Sequence, residues 1–363
     1  MMINTPFYQV GSEIFFNKFK AFIRSKETNT EVKFNIFDSA FDTVLWEDPA
    51  ETWNQLLDRR ALQIASKGKP IILNFSGGTD SYTIYQVFKR NNIKLYAIHL
   101  RLKPLSSDNF QGAIDFLKKE NPDTRLLIIE DDVEVHKSFY NSPEWIWNLS
   151  KLNFSISLSE AQDLEKHHAV HNLPDDYIQV LGFEKPRLKI IGNKFYSYQP
   201  DTLHEFVIGK PRIEYFFINP DLPELHVKQS YMLAKFIKKR SSIENRPLEW
   251  YNSIHDPRTS NYYSYSLLGC GRFGDLVASN NQKVQSYSST LIIPDNNINN
   301  AQFTGRTQTI FDHGIKNKES YIKNYLEGLL YVRTDSMLKD IFSDKNNYLT
   351  VKSIESKLYE LKV

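Results

Sequence analysis

Apolar stretches of strand length alternate with amphipathic stretches of helix length between residues 52 and 102. Residues 52–65 place most of their apolar side chains on one helical stripe, which predicts an amphipathic helix. Residues 71–75, IILNF, are an apolar stretch that stops abruptly at Ser-Gly-Gly, which predicts a buried parallel strand feeding a loop. Residues 81–90 predict the next helix, and residues 94–102 predict the next strand.

The same alternation continues to about residue 187. Residues 111–120 predict a helix, and residues 125–129 predict a third strand. Ser159 and Gln162 match a capping box that starts a helix running to about residue 171, and residues 177–181 predict a fourth strand. Strands that alternate with helices indicate an α/β fold with a doubly wound, mainly parallel sheet, whose ligand binds at the carboxyl ends of the strands.

The pattern changes beyond about residue 188. Short hairpin strands are predicted from residue 188 to residue 198, a helix over residues 224–239, and loops with short helices over the Asn-, Ser-, Tyr- and Gly-rich residues 245–314. The last stretch, about 45 residues, predicts further helices. We therefore divide the chain into an N-terminal extension (1–50), an ATP-binding α/β domain (51–190) and a less regular C-terminal α+β or helical subdomain for the substrate (191–363).

The composition is that of a folded protein with little net charge. Of 363 residues, 41% are hydrophobic, and 45 basic against 43 acidic residues give a net charge of +2. This balance provides no general attraction to nucleic acid or membranes, so anion binding must come from a local group of residues. The single cysteine, Cys270, excludes a disulfide framework and a cysteine-built zinc or iron–sulfur site. With no signal-peptide pattern and no long apolar stretch, we expect a cytoplasmic protein without membrane attachment.

The loop after the strand at residues 71–75 carries the clearest chemical signal. Residues 75–81 read FSGGTDS. Two glycines let the backbone turn tightly and present N–H groups to an anion, and the helix that follows adds its positive N-terminus. Ser76 and Ser81 can donate hydroxyl hydrogen bonds to phosphate oxygens. Asp80 would repel a bare phosphate, so its carboxylate indicates a Mg²⁺ ion that bridges the two groups.

The string SGGTDS is neither a Walker loop nor a dinucleotide fingerprint. It resembles the SGGxDS signature of the PP-loop ATP pyrophosphatases, the superfamily of asparagine synthetase, GMP synthetase, NAD synthetase and tRNA-modifying adenylating enzymes. The resemblance implies an adenine nucleotide alpha hydrolase-like fold, called HUP type. It also implies that ATP is cleaved between the α and β phosphates, that AMP is transferred to a substrate oxygen, and that ATP and Mg²⁺ are the cofactors.

The resemblance assigns roles to individual residues of this chain. Asp80 would ligate Mg²⁺ and take part in catalysis, and main-chain groups near the end of the second predicted strand would receive the adenine. The residues that the resemblance implies for nucleotide binding are Ser76, Gly77, Gly78, Thr79, Ser81, Ala97, Ile98 and His99.

A second polar cluster follows the fourth predicted strand, on the edge where the phosphates would lie. Lys185 and Arg187 could neutralise the charge of the α-phosphate transition state, Arg187 by a bidentate contact. Glu184 could hold Mg²⁺ or orient Lys185. The alternative is a polar turn with a surface ion pair.

Other candidates carry weaker signals. Arg272 and Asp275 are the residues we expect to contact the substrate outside the α/β domain. Cys270 lies between two glycines and is either a thiol nucleophile or sulfur carrier, or part of a loop whose glycines let the backbone approach a ligand or a strand. His167 and His171 could share a metal, but their place near a helix end favours a structural role. Surface structure is the preferred interpretation of three further charged residues, Asp201, Arg212 and Asp221.

The leading functional hypothesis is an asparagine synthetase-like ligase that activates a carboxylate or carbonyl oxygen as an AMP ester, for attack by ammonia or an amine. Residue 2 is methionine, and about 50 residues precede the α/β domain, so no built-in glutaminase is expected. The architecture also resembles asparagine synthase-related proteins of large bacteriophages. Two alternatives stay open: a nucleobase- or tRNA-modifying adenylating enzyme, which the charge does not favour, and an inactive nucleotide-binding scaffold. The sequence identifies neither the small-molecule substrate nor the oligomeric state.

Overall fold

Secondary structure is described here for residues 5–75, 79–102, 107–130, 164, 172–182, 186–201, 208–252 and 354–363 of a computed structural model. The strands are β1 (Phe7–Val10), β2 (Glu13–Phe15), β3 (Val32–Asn35), β4 (Ile71–Asn74), β5 (Ala97–Leu102), β6 (Arg125–Glu130), β7 (Ile178–Leu181), β8 (Arg187–Ile191), β9 (Lys194–Tyr198), β10 (Ile213–Tyr215) and β11 (Tyr359–Leu361). The helices are α1 (Lys18–Thr28), α2 (Asp38–Phe41), α3 (Trp53–Ser66), α4 (Thr79–Arg90), α5 (Ser107–Glu120) and α6 (Pro223–Glu244), with a 3₁₀ helix at Leu248–Asn252. None of these helices is long and apolar enough to cross a membrane.

Five strands form a parallel sheet in the order β10-β7-β4-β5-β6. The central strand β4 pairs with β5 on one side and with β7 on the other, in both cases in parallel. The strands predicted over residues 71–75, 94–102, 125–129 and 177–181 are all present, and β10 adds a fifth that the apolar pattern did not predict. The α/β fold with a doubly wound parallel sheet is therefore confirmed.

Apolar side chains cover both faces of this sheet. On one face, alternate residues of β4, β5 and β7 are buried against the apolar stripes of α3, α4 and α5. On the other face, Ile72, Ala97 and Leu127 pack with Leu173 and Tyr177, which precede β7. Strands β4, β5 and β7 thus bury both of their sides, which explains their nearly continuous apolar sequences.

Helix α3 shows how the local sequence sets an element boundary. It begins at a capping box, in which the Gln55 backbone N–H donates to the Thr52 hydroxyl at 3.3 Å and the Thr52 N–H donates to the Gln55 side chain at 2.8 Å. Leu56, Leu57 and Ala61 of the predicted apolar stripe are fully buried. Of the helix predicted over residues 159–171, the described residues include Leu164 alone. Residues 253–314 also lie outside the described residues.

The two ends of the chain share a second core. Strands β2, β1 and β3 form one antiparallel sheet, strands β11, β9 and β8 form another, and apolar side chains of both pack with α6. The predicted hairpin and the predicted helix over residues 224–239 are confirmed as β8–β9 and α6. The prediction of helices at the chain end is wrong for Tyr359–Leu361, which form β11 against β9. This segment is too short for periodicity to reveal a strand, and its pairing with β9 decides its conformation.

Buried charge joins α3 to the edge strand β10. The Arg60 side chain is fully buried, and its guanidinium donates at 2.7 Å both to the Glu214 carboxylate and to the Tyr215 backbone carbonyl. Lys67 bridges Glu214 and Asp221 from the end of the same helix. Because β10 has three residues and, among the described residues, pairs with β7 alone, these contacts add to the burial of Tyr215 in holding the strand.

We expect Arg60→Met to lower the free energy of unfolding by about 2–3 kcal/mol, since it leaves Glu214 and the Tyr215 carbonyl without their buried donor while Lys67 keeps part of the compensation. Urea unfolding measures the change. Lys69→Ala is the matched control, because Lys69 and Asp176 form an exposed pair whose loss should cost less than about 1 kcal/mol. Equal losses in the two variants would contradict a structural role for Arg60.

His226 is a buried, neutral histidine of α6 whose ring contacts β9. Ser230 donates its hydroxyl to the His226 carbonyl, so Ser197 must donate to Ser230 and accept from His226 Nε2, at 2.9 and 3.2 Å. The ring stacks on Phe41 with 5.1 Å between centroids. Burial lowers the pKa of His226 from 6.5 to about 3.

Stability should therefore fall with acidification. The unfolded chain binds a proton at His226 below about pH 6.5, whereas the folded chain does so only near pH 3, so this contribution is complete above pH 6.5 and is lost as the pH falls towards 3. Urea unfolding between pH 7 and pH 4 should show a loss approaching ~1.4 kcal/mol per pH unit. His226→Gln, which keeps a donor for Ser197, should flatten this dependence; an unchanged slope would contradict the assignment.

Candidate functional site

Strands β4 and β7 flank the point at which the chain changes direction across the parallel sheet. From β4 the chain proceeds to β5 and β6 on one side, then returns to β7 on the other side of β4 and continues to β10. In open α/β sheets, such a switch point in the strand order is where ligands bind, at the carboxyl ends of the strands. The SGGTDS string begins two residues after β4 ends.

Helix α4 begins at this switch point. It starts at Thr79, and Asp80 lies half-buried in its first turn, where the helix dipole favours a negative charge. Ser81 is buried, with 5% of its surface exposed. Ser76, Gly77 and Gly78 lie outside the described residues. The predicted strand–loop–helix arrangement is thus present on both sides of the loop, and the roles of its residues stay predictions.

The end of β7 packs directly on this helix start. A Cβ atom at Gly182 would lie 3.3 Å from the Ser81 nitrogen and from the Asp80 carbonyl carbon, and 2.7 Å from Cδ1 of Ile84. Only glycine allows so close an approach without displacing a neighbour. The carboxyl end of β7 therefore lies beside the helix N-terminus, and residues 183–185, which follow it, lie outside the described residues.

Arg187 enters the structure at the far end of the loop that leaves β7. It is the first residue of β8, is half-buried, and lies opposite Tyr198 of β9. Burial is the largest cause that raises the pKa of Tyr198, and the charge of Glu355 raises it further. The charge of the nearby Arg187 lowers this pKa. Glu184 and Lys185 lie outside the described residues. Arg187 thus begins a strand of a different sheet, and its place at the carboxyl edge and its contact with a phosphate stay predictions.

The three residues predicted to receive the adenine occupy the first half of β5. The side chains of Ala97 and Ile98 are fully buried in the hydrophobic clusters on opposite faces of the sheet. Their main chains pair with β4 and β6, and the strand continues to Leu102. His99 is 2% exposed, and its carbonyl accepts the Phe75 N–H at 2.8 Å. Adenine binding by these residues stays a prediction, and the strand ends three residues beyond them.

A buried polar cluster, which we call the Asn74 cluster, joins three neighbouring strands beneath the loop. It consists of Asn74 on β4, His99 on β5 and Gln179 on β7. The Asn74 amide oxygen accepts from Gln179 Nε2 at 3.0 Å and lies 3.0 Å from His99 Nδ1. Because an amide oxygen can only accept, Nδ1 of His99 carries a proton. The sequence motifs do not indicate Asn74 and Gln179; the available signal is one polar residue within each apolar strand.

Three other charged residues singled out in the sequence have structural partners. Asp201 is fully buried, not on the surface as predicted, and binds Lys18 at 2.6 Å. Asp221 pairs with Arg60 and Lys67 at the end of α3. The Arg212 guanidinium lies 5.2 Å from the centre of a tyrosine ring. The remaining candidates, His167, His171, Cys270, Arg272 and Asp275, lie outside the described residues.

The described residues fit a Mg²⁺ ion held mainly by its substrate. Within the described ranges, no three His, Cys, Asp or Glu side chains are grouped to hold a metal. Mg²⁺ is commonly bound by one or two carboxylates together with substrate phosphates. Asp80, half-buried in the first turn of α4, supplies one such carboxylate, and the second predicted ligand, Glu184, is outside the described residues.

Comparison with solved structures adds a weak similarity. No family model and no curated protein sequence matches this chain. Among solved structures, the chain is similar to the NH3-dependent NAD synthetase from Campylobacter jejuni in complex with the nitrate ion, at 15% identity and a TM-score of 0.29. The similarity covers 68% of this chain and 99% of that chain. The fold class rests on the strand order and parallel pairing of the sheet, not on this similarity.

The packing of Gly182 on α4 can be tested with a double-mutant cycle. Gly182→Ala should lower the free energy of unfolding by about 1–3 kcal/mol, because the new Cβ meets Ile84 Cδ1 and the helix backbone. Ile84→Val removes the Cδ1 atom. Urea unfolding of the double variant should therefore show a loss at least ~0.5 kcal/mol smaller than the sum of the two single losses. Strict additivity would show that the two residues do not touch.

Proposed function

We propose that this chain is an ATP pyrophosphatase of the PP-loop type, which binds ATP at the carboxyl edge of the parallel sheet, transfers AMP to an oxygen of a second substrate and releases pyrophosphate. The observation that supports it is the place of the SGGTDS string, between β4 and α4 at the switch point of the sheet. A phosphate loop at any other corner of the fold would not face the ligand crevice.

Different residues of this chain would bind different parts of the triphosphate. The backbone N–H groups at the start of α4, together with Gly77, Gly78 and the Ser81 hydroxyl, would bind the pyrophosphate unit. Asp80, with Glu184, would hold Mg²⁺, which supplies neutralising charge to the phosphate oxygens when bound. Lys185 and Arg187 would stabilise the negative charge that gathers on the α-phosphate in the transition state.

The second half-reaction is proposed to form a C–N bond. An AMP ester of a carboxylate or carbonyl oxygen would be attacked by ammonia or an amine, as in asparagine synthetase-like ligases. The single cysteine of the chain supports nitrogen transfer over sulfur transfer, because the thiolating members of the superfamily commonly use paired cysteines.

The test is the fate of α-labelled ATP incubated with the protein, Mg²⁺, ammonia and a metabolite extract as the source of substrate. Chromatography should resolve AMP and pyrophosphate as products. Asp80→Asn should reduce AMP formation by roughly 100-fold or more, since it removes charge that positions the phosphates.

Asp176→Asn is the matched control. Asp176 is an exposed carboxylate that precedes β7, at the opposite, amino edge of the same sheet, where it pairs with Lys69. Its variant should form AMP at the wild-type rate. ADP as the product would refute the proposal, and ATP binding without AMP formation in any fraction of the extract would favour a nucleotide-binding scaffold.

A further inference from the structure

The Asn74 cluster has a direction that its hydrogen bonds define. Asn74 is in register with His99, whereas Gln179 is in register with Ile72, two residues nearer to the amino ends of the strands. The hydrogen bond from Gln179 therefore draws the Asn74 oxygen towards the interior of the sheet. The oxygen and nitrogen of a carboxamide are bonded to the same carbon about 120° apart, so the NH₂ group of Asn74 cannot take the direction of its oxygen, and we infer that it is turned towards the carboxyl edge.

Burial supports the same direction. Ile71, Ile72 and Leu73 of β4 are buried, whereas Asn74, the last residue of the strand, is half-buried. A buried amide with both oxygen and nitrogen enclosed would need partners for all of its polar atoms. Here the two neighbouring strands use the oxygen of this half-buried residue, which leaves its two N–H donors for another acceptor.

We propose that Asn74 donates a hydrogen bond to the α-phosphate of bound ATP, with His99 and Gln179 as positioning residues; this inference rests on the proposed function. The donor lies at the base of the phosphate loop, on the central strand of the sheet. The pyrophosphate unit takes the start of α4, and the next group along the nucleotide is the α-phosphate. Because its oxygen is already used, Asn74 presents donors alone, which match an acceptor-only phosphoryl oxygen.

The preferred test is Asn74→Asp, with the two products of the reaction as separate probes. Aspartate keeps an oxygen that accepts from His99 and Gln179, and replaces the NH₂ group with an anionic oxygen. Calorimetry should show that the affinity for AMP falls by roughly tenfold or more, the range expected for a hydrogen bond to a charged group. The affinity for Mg²⁺-pyrophosphate should stay within about twofold, since that unit binds at the start of α4.

Asn17→Asp provides a matched control for the new charge. Asn17 is the half-buried N-cap residue of α1, outside the parallel sheet, and its oxygen accepts the Lys20 N–H at 3.0 Å, a position that aspartate also favours. This variant should bind both probes as the wild type does. Thermal melting of each variant checks that the fold is kept.

The outcomes distinguish a direct contact of Asn74 with the α-phosphate from an effect on the whole phosphate loop. Equal weakening of AMP and pyrophosphate binding in Asn74→Asp would mean that the residue acts on the whole loop, and unchanged binding of both would mean that it touches neither; each result overturns the inference. If the wild type forms AMP and pyrophosphate from ATP, these results leave the proposed function standing. A wild type that binds neither probe and forms no AMP refutes the proposed function itself.

Discussion

The close approach of β7 to the first turn of α4 is the constraint on which the candidate site depends. Gly182 brings the backbone that follows β7 into contact with Asp80 and Ser81, while β7 itself is hydrogen-bonded to β4. Strand, helix start and neighbouring strand thus fix one another. A phosphate site built from backbone N–H groups needs this rigidity, because backbone donors cannot adjust to a ligand by changing rotamer.

Burying polar atoms costs free energy, and two polar groups of this chain serve different purposes in return. The pair Lys18–Asp201 is fully enclosed, and both oxygens of Asp201 are used, one by Lys18 and Tyr8 and the other by the Ile354 N–H. It joins segments that are distant in the sequence. Asn74, by contrast, lies at the carboxyl edge and has its oxygen fixed from within the sheet. A buried group whose oxygens all have hydrogen-bond partners within the protein is typical of a structural role. A group at the edge of a sheet whose oxygen alone is bound from within the sheet is a candidate for ligand contact.

The sequence predicts the central sheet well and its margins poorly. Strands β4 and β7 are predictable because continuous apolar runs reflect burial on both faces. Strands β10 and β11 have three residues each, and their conformation depends on pairing with distant partners. The phosphate loop is visible in residue types, but the hydrogen bond between Asn74 and Gln179 spans 105 residues, and only the register of β4 and β7 brings the two together.

A chain with net charge +2 can attract a nucleotide only through the local distribution of its charges. At the amino edge of the sheet, Lys69 is paired with Asp176. Along α3, the positive charges of Arg60 and Lys67 are neutralised by Glu214 and Asp221. Such pairs cancel at distances beyond a Debye length, so these parts of the molecule present little field to an anion. The N-terminus of α4, by contrast, follows the carboxyl end of β4, where the helix dipole attracts an anion. The electrostatic asymmetry of the sheet thus favours the same edge that its topology indicates.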